Sequence, residues 1–311
     1  MRLRPGVPVL RRGVDEVQIG TDPRWAVRVT DLTPAEVQAL LADGLGSDAP
    51  RLRALGDELA LVGLAVDDDA PRALGDPLAP LHPEDDPVAR SRHRAATCAG
   101  VVGLGPTGLG IAAGLAAAGV GTVLLDDERA VRPPDVGAAG YRWSDVGLPR
   151  EQAAARVLRD VCPAVEVDRP AAPDVLVVVE GAAAHPARGE RLVSLGVTHL
   201  SVVVREADTL VGPLVVPGRG PCLRCLDLHR ADRDAAWPLL LSQLVGGDPV
   251  EQGPVAAVAA GLAVATVLGV VDGIPPVAGR TWEIALPDAV PRERTWHPHP
   301  RCGCGGLPDE P

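Results

Sequence analysis

An α/β fold with a mostly parallel sheet, preceded by a smaller αβ module, is what the sequence predicts, and three observations carry that expectation. Apolar runs of strand length alternate with helical stretches from residue 96 onward, the pattern of a sheet covered by helices. The stretch VVGLGPTGLG, Val101 to Gly110, places glycines at 103, 105 and 108 between an apolar strand and an Ala-rich helix. Upstream, DDDAPRALGDPLAPLHPEDDPVARS, Asp67 to Ser91, has the Pro and Asp content of a linker. The 311 residues therefore divide into a module at 1–66, a linker at 67–95 and a larger domain at 96–311.

In the first module VPVLRR, EVQIG and WAVRVT are strand candidates, and TPAEVQALLADG carries a helix's start and stop. Thr33 is placed to cap that helix, Pro34 suits its first position, Glu36 completes a capping box, and Gly44 ends it. A second helix from Pro50 to Leu59 leads into the apolar return LALVGLAV. Strands, two helices and a return fit a winged-helix-like module. Eight arginines against nine carboxylates in 1–66 leave no basic excess for phosphate contacts. Peptide recognition on a sheet edge fits better than nucleic-acid binding.

In the larger domain TCAGVVGL, GLGIAAGLAAAG, GTVLLDD, REQAAARVLRDV, AVEVD, DVLVVVE, ARGERLVSLG and HLSVVV read as alternating strands and helices. This is a Rossmann-like succession. Gly103 makes the tight turn, Gly105 lets an anion approach the backbone, Gly108 permits close packing, and the helix N–H groups face a phosphate. Asp126, ending the second strand, is placed to accept a ribose hydroxyl.

Two cysteine pairs stand late in the chain, Cys222 and Cys225 in GPCLRCLDLHR, then Cys302 and Cys304 in HPHPRCGC. Four thiolates in two clusters fit a closed tetrahedral structural zinc site, with His297 or His299 as substitute ligands because the second pair is unusually tight. Cys98 and Cys162 adjoin core elements and read as buried apolar residues. PVAAVAAGLAVATVLGVV, Pro254 to Val271, is long enough to reach across a bilayer. Its Ala and Gly content, its bracketing by Glu251 and Asp272 and the lack of basic or Trp flanks make it a core helix rather than a membrane span. A net charge of -11 disfavours nucleic acid and anionic membranes, and MRLRPGVPVL lacks the apolar stretch of a signal peptide, so a cytoplasmic protein is expected.

VVGLGPTGLG, GTVLLDDE, DVGLPR, GPLVVPGRGPCLRCL, the helix beginning GPVAAVAAGLA and the terminal cysteines, in that order from Ala96 to Cys304, resemble the ThiF/MoeB/HesA superfamily of ubiquitin-activating-like adenylyltransferases. The resemblance implies a ThiF-type sheet, ATP with magnesium in the glycine turn, attack by an acceptor's C-terminal carboxylate on the α-phosphate, and structural zinc. It assigns nucleotide contacts to Gly103, Gly105, Gly108, Asp126, Arg150 and Glu180. The sequence departs from the family at two places. PPDVGAAGY stands where Asn-Leu-x-Arg-Gln is usual, and Arg150 in DVGLPR occupies the place of the phosphate-binding lysine. The chain contains no Lys at all, so Arg150 reads as its replacement and as the catalytic cation.

A winged-helix-like module joined to a ThiF-like domain also resembles the leader-peptide-binding partners of thiazole/oxazole-modified peptide biosynthesis. That likeness implies a protein that binds a precursor leader peptide and presents it to a YcaO-type cyclodehydratase, its own adenylation site weakened or lost, and family likeness implies a homodimer. The alternative is an active adenylyltransferase working on the C-terminus of a carrier protein or peptide, with Arg142 or a partner's arginine as a further cation.

Overall fold

The computed structural model describes residues 1–4, 6–46, 49–67, 87–169, 171–248 and 250–305. Two compact units are present, Met1–Arg92 and His93–Pro311.

The first unit contains β1 (Arg2–Leu3), β2 (Val9–Arg11), β3 (Val17–Ile19), β4 (Val27–Val29), α1 (Pro34–Asp43), α2 (Pro50–Leu61) and β5 (Ala65–Val66). Strands β2, β3 and β4 form an antiparallel sheet, and β1 pairs with β5. The capping box forms as its residues dictate: Thr33 N–H donates to Glu36 Oε2 at 2.7 Å, and Glu36 N–H donates to Thr33 Oγ1 at 3.2 Å. Gly44 then ends α1, its N–H bonded to the Leu40 carbonyl. Leu52, Leu55 and Leu59, at helical spacing on α2, close over Val17, Ile19, Val37 and Leu40 in a core of the unit's own.

Helix α3 (Pro87–Ala96) takes up the end of the expected linker, whose residues 68–86 lie outside the described residues. The second unit continues with β6 (Cys98–Val102), α4 (Pro106–Ala117), β7 (Thr122–Asp126), α5 (Arg150–Val161), β8 (Val175–Gly181), α6 (Pro186–Ser194) and β9 (His199–Val204). There follow β10 (Asp208–Val215), α7 (Leu223–Arg233), α8 (Trp237–Leu244), α9 (Gly253–Val271), β11 (Arg280–Ala285) and β12 (Pro291–Thr295). The seven-stranded sheet runs β12-β11-β10-β9-β8-β6-β7. Strands β7, β6, β8 and β9 are parallel, as the alternation requires, and β10 to β12 extend them as antiparallel neighbours. AVEVD contributes a single bridge, Thr122 to Glu166, instead of a strand: Val165 and Val167 are buried, but the charged Asp168 and Arg169 end the run.

Helix α9 is long and apolar enough to cross a membrane by length and composition. Here its row Val255, Ala259, Ala263 and Val267 is buried in the core of the second unit. Close approach to α4 depends on Gly114, where a Cβ would lie 2.7 Å from Val264 Cγ2. Because the chain leaves β6 for β7 on one side and reaches β8 on the other, a crevice opens at the carboxyl end of β6, where open α/β sheets bind ligands.

Candidate functional site

Gly103 turns the chain out of β6 with φ +83°, and a Cβ there would collide with the Val179 carbonyl of β8. Gly108 packs the start of α4 directly against the Gly103 carbonyl. Beside this turn lies a cleft of about 500 Å³ lined by Gly103, Asp126 and Glu180, together with Glu128, Arg129 and Arg188. Three of the predicted nucleotide residues thus meet in one cleft. Glu180 is held by Arg188 Nη1 at 2.5 Å and accepts the His185 N–H at 3.2 Å.

The anion-facing backbone of the turn is already engaged. Thr107 N–H, the first available in α4 because Pro106 has none, donates to Glu251 Oε2 at 2.8 Å. A Cβ on Gly105 would strike the other oxygen of that carboxylate, so Glu251 lies over the glycine where a phosphate would approach. Burial pushes the Glu251 carboxyl above its usual range; the Thr107 hydrogen bonds pull it down, and Asp135 raises it further. The Leu104 N–H is likewise given to Asp127 Oδ2 at 2.7 Å.

Arg150 does not line the cleft. Its guanidinium, 1% exposed, donates to Asp127 Oδ2 at 3.0 Å and to Asp135 Oδ2 at 2.6 Å. Arg129 binds Asp127 and Asp248, and Arg132 binds Asp135 and Asp248, so three arginines and three aspartates neutralise one another. Asp127 titrates at about 2: burial alone would raise it, but hydrogen bonds from Arg129 and the Leu104 N–H outweigh that. Arg142 is turned to Asp160 with its side chain 65% exposed. A carboxylate thus covers the N-terminus of α4 where an anion would approach, and the Arg150 guanidinium is shared by two aspartates. The cleft's lining includes the carboxylates of Asp126, Asp127, Glu128 and Glu180 against Arg129 and Arg188.

The four cysteines do meet. Cys222 stands at the N-cap of α7, Cys225 lies in its first turn, and their two sulfurs and those of Cys302 and Cys304 all lie within 4.8 Å of one another. Cys222 Sγ is 3.7 Å from Cys302 Sγ, and Cys225 Sγ is 3.4 Å from Cys304 Sγ. Tetrahedral zinc with bonds of about 2.3 Å sets its sulfurs about 3.8 Å apart, so the donor set suits that metal. The substitute ligands are not used. His299 Nε2 faces Asp232 at 2.8 Å and its Nδ1 accepts the Arg301 N–H, while His297 is exposed. Burial pushes the Cys222 thiol up to about 11, so a metal entering here must displace a proton.

Glu251, Asp127, Asp135 and Asp248 were not singled out as site residues from the sequence. The available signal was the departure itself: Asp135 falls in PPDVGAAGY, the stretch that lacks the Arg and Gln of Asn-Leu-x-Arg-Gln.

Residues 89–173 match the ThiF family. No curated protein sequence matches the chain. Among solved structures, MccB of E. coli with AMPCPP and selenomethionyl MccA superposes with a TM-score of 0.68 at 16% identity, covering 98% of this chain and 99% of that one. The microcin C7 biosynthetic enzyme MccB in complex with N-formylated MccA gives the same score, identity and coverage. PaaA superposes with a TM-score of 0.68 at 17% identity over 94% of this chain and 99% of its own. These likenesses show a ThiF-like fold.

Proposed function

We infer that this chain is a ThiF-like polypeptide-binding protein that takes a precursor's leader peptide and presents it to a YcaO-type modifying enzyme, its own adenylation site being closed. The observation that carries the reading is the Glu251 carboxylate on the Thr107 N–H over Gly105. A site that fills its phosphate position with its own anion is poorly suited to activate a carboxylate with ATP. Peptide binding is supported by the MccB structures solved with selenomethionyl or N-formylated MccA, a polypeptide ligand by those descriptions. In this chain β4 pairs only with β3 among the described strands, which leaves a sheet edge in 1–66 for an extended peptide. Zinc at the four cysteines would be structural, and the protein would work in the cytoplasm as a homodimer.

A second reading, adenylylation of a peptide or carrier C-terminus with ATP and magnesium, is favoured by the cleft that gathers Gly103, Asp126 and Glu180 and by MccB structures containing ATP. Calorimetry with Mg-ATP, and then with a leader peptide encoded beside this protein, separates the two. Peptide binding lost on deletion of 1–66, with no ATP heat and no pyrophosphate, is expected. Steady pyrophosphate release on adding the peptide would install the second reading instead.

A further inference from the structure

On the sheet face opposite α9, a pocket of about 190 Å³ lies between the antiparallel strands and α7. Nothing in the glycine turn or the cysteine cluster accounts for its lining. Four arginines, Arg205, Arg230, Arg233 and Arg294, face it against two carboxylates, Asp227 and Glu283. In a chain of net charge -11 such a local cationic excess is against the trend.

Three of these arginines are already paired. Arg205 binds Asp208, Arg230 binds Asp227 at 3.1 Å, and Arg294 binds Glu283 at 2.8 Å. Arg233 has no carboxylate partner among the described residues; its guanidinium stands 5.7 Å from the Trp296 ring. One uncommitted cation suits a monoanion better than a polyphosphate. Two buried polar groups point the same way. Thr281 is 3% exposed and its Oγ1 has no hydrogen-bond partner among the described residues, and the same is true of the buried Trp296 Nε1. Buried donors of this kind ordinarily have an acceptor. Val203, Leu210, Leu223 and Leu226 supply an apolar wall beside them. Burial lowers Arg230 from the ordinary guanidinium value against the pull of Asp227, and Arg205 and Arg294 lower it further, so an added anion would relieve the cluster.

We propose that this pocket binds an aliphatic carboxylate, its oxygens taken by Arg233, Thr281 and Trp296 and its hydrocarbon by the leucines of α7. The volume admits a few non-hydrogen atoms, too few for a nucleotide. The source is either a free short-chain acid or the C-terminal residue of a peptide. The assignment holds whether or not 1–66 takes a leader peptide.

The full chain is titrated calorimetrically with isocaproate, isocaproamide and inorganic phosphate, and with a short peptide ending in leucine as free acid or amide. Isocaproate or the free-acid peptide should bind and the amides should not. Binding by isocaproate alone assigns a free acid, and binding by the peptide alone assigns a chain end. Arg233→Ala, at an exposed position, should weaken binding about tenfold, and Thr281→Val several-fold with an unchanged melting temperature. Amides or phosphate binding as tightly as the carboxylates, no carboxylate binding at all, or an unaltered affinity in Arg233→Ala would overturn the proposal.

Discussion

Replacing Glu251 by glutamine removes one negative charge from the N-terminus of α4 yet keeps an oxygen able to accept the Thr107 N–H, 2.8 Å away in the present arrangement. A unit charge about 4 Å from an incoming oxyanion repels it by about 4 kcal/mol at an effective dielectric of 20. If solvent leaves only a third of that, about 1.4 kcal/mol, affinity still changes tenfold. Folding should not suffer. Burial holds the Glu251 carboxyl above its ordinary pKa, so its ionised form is a net cost to the fold. That cost is present above the folded pKa and vanishes below the unfolded one, and glutamine removes it. Glu251→Gln should therefore bind pyrophosphate at least about tenfold more tightly than the parent at physiological salt, with an equal or higher melting temperature. Isothermal calorimetry, with thermal melts on the same samples, reads both. Equal pyrophosphate affinity in parent and variant, or a parent that already binds at micromolar concentration, would refute the idea that this carboxylate closes the turn.

Arg150→Ala should destabilise the second unit by about 3 kcal/mol, because the buried Asp127 and Asp135 would each lose one of two arginine partners, keeping only Arg129 and Arg132; a chemical denaturation midpoint measures it. Intact nucleotide-free stability in that variant would return Arg150 to a phosphate-binding role. Cys222→Ser with Cys225→Ser should release about one zinc per chain by elemental analysis and lower the melting temperature by roughly 10 °C. Asp127 titrates at about 2 in the fold against an ordinary 3.8. Its stabilisation, about 2 kcal/mol, is fully present above pH 4 and should fade as pH falls toward 2, a loss that Asp127→Asn abolishes in acid melts.

The elements that were legible in the sequence are those whose cause is local. Thr33, Pro34, Glu36 and Gly44 fix α1 within a few residues of chain, and the Gly103 turn follows from a backbone conformation only glycine holds easily. Cysteine pairing was legible because thiol chemistry leaves few other uses for two such pairs. The antiparallel half of the sheet was not assigned, although β9 ends at Val204 and β10 begins at Asp208, too short a gap for a parallel crossover. Glu251 was beyond reach for a different reason: 144 residues separate it from Thr107, and a lone acid before an apolar helix has no local signature. Only the folded chain brings that carboxylate to the turn.

The two stretches that depart from the ThiF-like pattern, PPDVGAAGY and the arginine ending DVGLPR, meet in one buried ion-pair network. A lysine ammonium is a compact charge, whereas a planar guanidinium presents separate edges to separate carboxylates. Arg150 uses them so: Nη1 serves Asp127, while Nε and Nη2 both reach Asp135 at 3.2 and 2.6 Å. Asp135 itself occupies the stretch that in the family carries a cation, and its carboxyl is held low because hydrogen bonds from Arg132 and Arg150 outweigh the cost of burial. One arginine thus holds two acids at once. With the network buried, Arg150 turns to a phosphate only by leaving Asp127 and Asp135 with one arginine each, Arg129 and Arg132. In this fold the strand and the turn line the cleft, while the Arg150 charge sits beneath it, held by Asp127 and Asp135.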